Sequence, residues 1–600
     1  MAVSFTQIPA NIRNPLAYVE LSNARAGTFQ QNSRTLLIGQ SINNITEAPI
    51  LVAGVDWAKT TYGAGSHIAQ MVETFKKNNS FGEVWVLPLN DAGGSAAATA
   101  QIAVTANNPS AGTIALYIGH KVIYVPVLSG DTQQNIGTSF VTAITNDKDN
   151  AFTATNSNAA YQEVAFSAVA GGTSTGLVAG TTYLATITVD GVAKPISALG
   201  SSNATYTALL ATINTALGAS GTAAIVGNAI RVTSATTGAT TSVSITNGAT
   251  PLFAAPLANF TAISPAVVNT TVTLTAKNKG TLGNKYLIQH SYHGAVAGEV
   301  LPTNVTLSIT QPTGGATDPV ISSKLPLIGD MDIAFYATPY ADTTSLQAFD
   351  DFLTARWNAL VGKDGQAFTA VAGTSSFLAS TLGVNRNDEF TSIIGYEATN
   401  PTHPLYVASA YVGKASESIS IDPARTLQTL ELANVATTAE KDRFNLSTRA
   451  TLLNSGISTL MYKSGNAQIE RWITTYQRNS FGQPDNSYLD GTTMATLSYI
   501  KKSVTYLLTQ KFPRHKLAAD GTNFGAGQAI VTPSDIKGEL IAWYLTLEQI
   551  GLVQNIDAFE KELVVELNVN DPNRVDIILP PVLVNNLIVA AVRVDFRLQA

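Results

Sequence analysis

Apolar positions along this chain fall into two alternating periods. RTLLIGQ (34–40) is a short apolar run, and WAKTTYGAGSHIAQMVETFKKNN (57–79) follows with Ile68, Met71, Val72 and Phe75 at helical spacing. FGEVWVLPL (81–89) reads as the next strand. The pattern stops there and resumes near Ile328. DMDIAFYATPY (330–340) is a strand, and Asp342 or Thr343 can cap the helix behind it. That helix places Leu346, Phe349, Leu353, Trp357 and Leu360 on one face. QAFTAVAG (366–373) and TSIIGYE (391–397) continue as strands. Strands alternating with helices predict a largely parallel sheet covered on both faces.

Residues from about 91 to 325 therefore read as an insertion between two strands of one α/β domain. LYIGHKVIYVPVLSGDTQQNIGTSFVTAITND (116–147) gives a strand and a helix starting near Asp131. TVTLTAKNKGTLGNKYLIQ (271–289) supplies two more strands. Between them, TYLATITVDG, SNATYTALLATINTALG and AIRVTSATTGATTSVSIT repeat the order strand, helix, strand, strand. The expected organisation is a small α+β unit carried in a loop of a similar one.

The second half closes with another α+β region. LLNSGISTLMYKSG and AQIERWITTYQ form a hairpin, read here as part of this closing region. A helix from about Thr493 to Gln510 turns Leu497, Ile500, Val504 and Leu507 inward. A second has Thr532 as cap, Pro533 at its first position and Asp535 in its first turn, with Ile536, Leu540, Trp543, Leu547 and Ile550 inside. KELVVELNV and RVDIILP follow as strands.

The two ends differ from everything between them. At the C-terminus Val592, Val594, Phe596 and Leu598 alternate with Arg593, Asp595 and Arg597, which is a strand with one buried face. Such a strand needs a sheet to join. At the N-terminus Pro9 and Pro15 each remove a backbone donor and hold the preceding residue extended. Phe5, Ile8, Ile12, Leu16, Tyr18, Val19 and Leu21 make that segment too apolar for a free tail. Two extended termini offer two chances for strand addition to a neighbour's sheet edge.

Composition narrows the function. The chain has no cysteine, so disulfides and thiolate metal sites are excluded. Its six histidines are scattered, and the pair His290 and His293 lacks a carboxylate cluster. A net charge of −6 over 600 residues gives no basic footprint for nucleic acid. No run approaches the ~18 apolar residues of a membrane span, and the N-terminus lacks a signal-peptide core. Charged residues make up 13%, about half the usual ~25%. From 151 to 270 they are only Glu163, Asp190, Lys194 and Arg231, in a Thr-rich chain that reads as β.

No spacing marks an active site. GAGS (63–66) and GAGQ (525–528) lack the dinucleotide fingerprint, and no GKS or GKT follows a glycine loop. No nucleophile elbow appears. One charge asymmetry stands out. Lys501, Lys502, Lys511, Arg514, His515 and Lys516 lie in a stretch without acidic residues, and Asp535 to Glu566 is predominantly acidic. The basic set reads either as a solvated helix face or as a contact with acidic groups on a partner, with opposite signs pairing between subunits.

Several long segments carry a resemblance. IDPARTLQTLEL (421–432), GISTLMYKSGNAQIERWITTYQRNSFGQPDNSYLDGTTMATLSYI (456–500), KFPRHKLAADGTNFGAGQAIVTP (511–533) and NDPNRVDIILPPVLVNNLIV (570–589) resemble the contractile tail sheath proteins of Mu-like phages. IPANIRNPLAYVELSNARAG (8–27) is similar to that family's arm. The match is dense over about 390–600 and poor over 155–265.

The resemblance implies a structural subunit rather than an enzyme, without cofactors. Such subunits form stacked six-fold rings around a tail tube, are built extended and metastable, and contract to drive the tube through a host envelope. Implied partners are the chain itself as a helical homopolymer, the tail tube protein, and baseplate and tail terminator proteins. Nucleic acid and membrane insertion are not expected, and assembly is expected in the host bacterial cytoplasm. The other reading of the residues is a non-contractile structural or adhesive surface filament.

The expected fold is α/β and α+β, multidomain. It comprises an N-terminal linking arm (1–22), an α/β sheath domain (23–90 plus 326–434) and an inserted α+β domain (91–154 plus 266–325). A nested outer β-rich domain (155–265), a tube-proximal C-terminal domain (435–581) and a C-terminal linking strand (582–600) complete it.

Overall fold

The computed structural model describes residues 33–166, 174–226, 228–236, 241–254, 260–264, 266–525 and 527–597. The expected N-terminal arm residues Phe5, Ile8, Ile12, Tyr18, Val19 and Leu21 lie outside these residues, as does Leu598. The chain forms two compact units. The larger holds Arg34–Glu417 and Leu427–Gly491; the described part of the smaller is mainly Ser418–Thr426 and 492–597. The fold is mixed α/β and multidomain.

The larger unit is organised by an eight-stranded sheet. Its order is Ile50–Leu51, Val84–Leu89, Thr35–Gln40, Phe335–Ala337, Gln366–Gly373, Thr391–Glu397, Ser458–Lys463 and Asn466–Arg471. All pairings are parallel except those of the two outermost strands. Thr35–Gln40 and Thr391–Glu397 are buried along their whole length, as strands covered on both faces must be. The helix His67–Asn78 buries Ile68, Met71, Val72 and Phe75, and Ser66 caps it. The helix Thr343–Trp357 is capped by Asp342, whose Oδ1 accepts from the Ser345 N–H at 2.9 Å.

Three details differ from the sequence reading. Leu360 is 97% exposed because the helix ends at Trp357 and Asn358 turns the backbone extended. The strand after the first helix begins at Val84, not Phe81. The hairpin Ser458–Lys463/Asn466–Arg471 joins the edge of the parallel sheet through Ile394–Ser458 pairing, so it belongs with the α/β layer and not with the closing region. Its first strand is buried at Ser458, Thr459 and Leu460, as a strand inside a covered sheet must be.

The segment between Leu89 and Phe335 builds a second sheet, seven-stranded, in which Phe152–Phe166 is central. That strand pairs with Val267–Lys279 from Phe152–Ala276 to Tyr161–Val267, and further along with Ala229–Ser234 and Phe260–Ile263. One pair of long strands thus runs across position 155, and both the outer and inner parts of the insertion hang on it. The outer part adds a three-stranded sheet (Val243–Asn247, Thr182–Val189, Val192–Leu199) and the helix Tyr206–Leu217. Their shared core includes Ile187, Leu209, Ile213, Ile230 and Phe260. Thr132 caps the inner helix Gln133–Asn146.

The smaller unit packs the second half of the helix Gly491–Lys511 with Pro533–Gln549, Ile556–Glu562 and a two-stranded antiparallel sheet, Val564–Leu567 with Val575–Ile578. Leu540, Tyr544, Leu547, Leu552 and Phe559 form its centre. Ile550, expected inside, is 56% exposed, because the helix stops at Gln549 and Ile550 occupies its C-cap.

Candidate subunit-linking surfaces

An open α/β sheet normally binds ligands in the crevice where its strand order reverses. Here that point lies between Thr35–Gln40 and Phe335–Ala337, since the chain first steps to Val84–Leu89 on one side and later to Gln366–Gly373 on the other. The crevice is occupied by the insertion. Gln40 Nε2 donates to Asp91 Oδ1 and to the Lys279 carbonyl, both at 2.8 Å, and Gln40 Oε1 accepts from Tyr340 Oη at 2.9 Å. Asn278 Nδ2 donates to the Ser41 carbonyl at 3.0 Å, and Asn278 Oδ1 accepts from the His67 N–H at 2.9 Å. The end of the long strand Val267–Lys279 therefore satisfies the groups that would otherwise face a ligand. Among the described residues no group of three His, Cys, Asp or Glu is placed to hold a metal ion.

The C-terminal segment is anchored and then released. Tyr544 stacks on Phe559, centroids 3.8 Å apart. Its hydroxyl donates to the Gln554 carbonyl at 2.8 Å and accepts from the Val582 N–H at 3.1 Å. Gln554 N–H donates to the Val582 carbonyl (2.9 Å), and Val584 N–H to that of Leu552 (3.2 Å). Asn586 Nδ2 closes the anchor on Thr492 Oγ1 at 2.7 Å. Beyond Asn586 most apolar side chains are exposed, Ile588 being half-buried. Val592 is 82% exposed, and Val594 and Phe596 are 78% exposed.

This stretch enters no ladder among the described residues. Arg593 Nε and Asp595 Oδ1, two positions apart, meet at 3.0 Å. That contact brings the two side chains to the same side of the chain. The ion pair itself is exposed and contributes little.

In the same unit, Val564–Leu567 and Val575–Ile578 pair only with each other, so each keeps one open edge among the described residues. A two-stranded sheet is marginal alone. Sequence periodicity located both strands but gave no sign of these open edges, which depend on what fails to pair.

The basic residues are distributed differently from the expectation. Lys511 forms an ion pair with Glu539 of the same chain, so one pairing of opposite signs expected between subunits is made within one. Lys516 Nζ donates to Gln528 Oε1 at 3.1 Å. Lys501 and Lys502 are half-buried on the helix Gly491–Lys511, and Arg514 is exposed past its end.

Comparison with known proteins bears on this geometry. Residues 314–475 match the phage tail sheath protein central domain, and 483–597 match the phage tail sheath C-terminal domain. The Mu-like prophage FluMu tail sheath protein of Haemophilus influenzae is 31% identical over 605 residues, covering 100% of both chains. Among solved structures, the sheath tail protein from Desulfitobacterium hafniense aligns over 95% of this chain and 100% of its own, at 10% identity and a TM-score of 0.39. That from Listeria innocua covers 91% of each chain at 10% identity and a TM-score of 0.38. At those scores the sequence match carries the assignment. A full-length relative and two consecutive family domains agree: the chain belongs to the phage tail sheath family, as a structural component of the virion tail.

Proposed function

We propose that this chain polymerises as stacked six-fold rings around a tail tube, in an extended, metastable state that contracts to drive the tube through a host envelope. Neighbouring copies are joined by strand addition. Val592–Leu598 of one copy extends the sheet Val564–Leu567/Val575–Ile578 of another, and an N-terminal arm carrying Phe5, Ile8, Ile12, Tyr18, Val19 and Leu21 completes it. The observation that carries this reading is the bare apolar face of Val592, Val594 and Phe596 beyond the anchor at Asn586. A strand making about five ladder bonds gains only roughly 2–7 kcal/mol, at ~0.5–1.5 each. Repeated at every copy, the link gives a continuous mesh.

Lys501, Lys502, Lys511, Arg514 and Lys516 are proposed to face the tube or a neighbouring copy. Baseplate and tail terminator proteins would bound the polymer, which would assemble in the host cytoplasm. The insertion between Leu89 and Phe335 takes no part in the links.

Deleting residues 588–600 tests the reading. The truncated chain should fold with unchanged melting and stay monomeric, whereas the full chain forms hollow tubes under negative stain. Tubes of normal length from the truncated chain would refute strand linkage.

A further inference from the structure

Three of the chain's six histidines meet at one joint. The joint lies inside the larger unit, where the insertion sits on the α/β layer. The layer supplies His67, the first residue of its helix, and His403, just before the helix Pro404–Ile421. The insertion supplies His120, in the turn between the strands Gly112–Ile118 and Lys121–Val127. His67 is 2% exposed and His403 0%. Tyr286 of the insertion stacks on His403, centroids 4.1 Å apart. Tyr406 of the layer meets His120 edge to face at 4.3 Å.

Each ring is placed to hold no second proton. His403 Nε2 donates to the Leu282 carbonyl at 2.9 Å, and its Nδ1 accepts from the Leu405 N–H at 3.2 Å. A proton on that Nδ1 would set two donors against each other. Nδ1 of His67 and Nδ1 of His120 are enclosed and have no hydrogen-bond partner among the described residues. An N–H at either would point at no acceptor.

The surrounding charges offer an imidazolium no partner. Lys77 and Lys121 face His120, and Lys285 faces His403. Glu73 also faces His120, but Lys59, Lys77 and Lys121 already hold it at 3.3, 3.0 and 3.8 Å. Asp149 of the insertion is taken by Lys59 at 2.6 Å. Tyr286 and Tyr406 bring no charge, because burial pushes their hydroxyls up. An added proton would therefore be buried, unpaired and beside cations. Burial holds all three rings down to about 3.

We propose that this joint is an acid-opened latch: neutral rings keep the insertion seated on the α/β layer, and their protonation unseats it while the smaller unit stays folded. Opening breaks the contacts closed over the joint, from His403 to Leu282, from Tyr286 Oη to Gln70 Oε1 (2.9 Å) and from Asn278 to Ser41. It uncovers the crevice that the insertion fills. The smaller unit holds one histidine, His515, which is exposed, so the same acid has no such lever there. The latch belongs to the single chain and does not depend on polymerisation.

Hydrogen exchange of the full-length chain, corrected for the intrinsic pH dependence of exchange, tests the latch. A ring that is proton-free when closed and titrates near 6.5 when open multiplies the opening constant about eightfold between about pH 6 and pH 5. Three rings together give about 500-fold, in a window where carboxylates take up few protons. The rise should appear in residues 67–78 and 276–290 and not in 564–578 of the smaller unit. His67→Phe, His120→Phe and His403→Gln should each cut it about eightfold, the glutamine keeping an Nε2 donor for Leu282. A wild-type rise of about eightfold or less, or an equal rise in the smaller unit, overturns the latch. So does the full wild-type rise in all three variants. The wild-type slope counts the rings by itself, without any variant.

Discussion

His67 and His403 lie ring against ring in the interior of the larger unit, centroids 6.2 Å apart and planes 21° apart. Tyr286 stacks on the other contact of His403 at 4.1 Å. His403 Nε2 lies 2.9 Å from the Leu282 carbonyl, and its Nδ1 is 3.2 Å from the Leu405 N–H, so the neutral ring is satisfied at both nitrogens. Burial pushes both histidines down to about 3. Unfolded histidine titrates near 6.5, so the unfolded chain binds more protons between about 3 and 6.5. Stability is therefore complete above pH 6.5 and is lost as pH falls through that window, on the order of a few kcal/mol per ring. Thermal melting from pH 7 to pH 4 should show a steep fall. His67→Phe keeps a ring in the stack and should make the fall shallower; an unchanged slope would exonerate His67.

Asp388 titrates with the opposite sign. It is fully buried, and burial, with Asp350 nearby, raises its carboxyl to about 7. The fold holds the proton between about 3.8 and 7, so stability falls as pH rises through that range. Asp388→Asn keeps an Oδ1 to accept from the Phe390 N–H, now at 2.7 Å, and removes the charge. It should raise stability at pH 8 by about 1–3 kcal/mol and leave it nearly unchanged at pH 4. Denaturant titrations at the two pH values check this.

Thr532 and Asp535 close a capping box on the helix Pro533–Gln549. Thr532 Oγ1 accepts from the Asp535 N–H at 3.3 Å, and Asp535 Oδ2 accepts from the Thr532 N–H at 2.9 Å. Thr532→Ala should lower stability by about 1 kcal/mol. The loss should appear in the unfolding of the smaller unit, followed by fluorescence of Trp543 on the same helix.

A charge on the bare face of the terminal strand should act only on assembly. Val594→Asp or Phe596→Asp replaces side chains that touch little in one copy, so melting should hold. Sedimentation should show monomers where the parent chain pellets as polymer. Arg593→Ser, on the opposite face, is the control and should polymerise normally.

The parts of the fold legible in the sequence are those where a period persists. Thr35–Gln40 and Thr391–Glu397 are short segments centred on apolar residues, Leu36–Ile38 and Ile393–Ile394, and read as strands. Thr532-Pro533-Ser534-Asp535 names its own helix start. The misses occur where a period is cut by local geometry. Leu360 and Ile550 continue their helical stripes in sequence, yet lie three residues and one residue past the ends of their helices and face water. Phe81 looks like the first residue of FGEVWVLPL, but the Asn79 turn holds it outside. The hairpin at 458–471 was readable as a hairpin; its sheet was not, because parallel partners are set by long-range topology. Of the candidate linking surfaces, the terminal alternation is plain in the sequence, whereas its anchor at Tyr544, Gln554 and Asn586 joins positions too distant for any local pattern.

The anchor at Asn586 sets a leash. Six backbone steps separate it from Val592, and at ~3.3–3.6 Å each they span about 20 Å at full stretch. In the proposed polymer a receiving edge would have to lie within that radius of Asn586 in every arrangement. There the slack in those few residues, not the stiffness of either core, would limit how far copies joined by this strand can travel while still tied together.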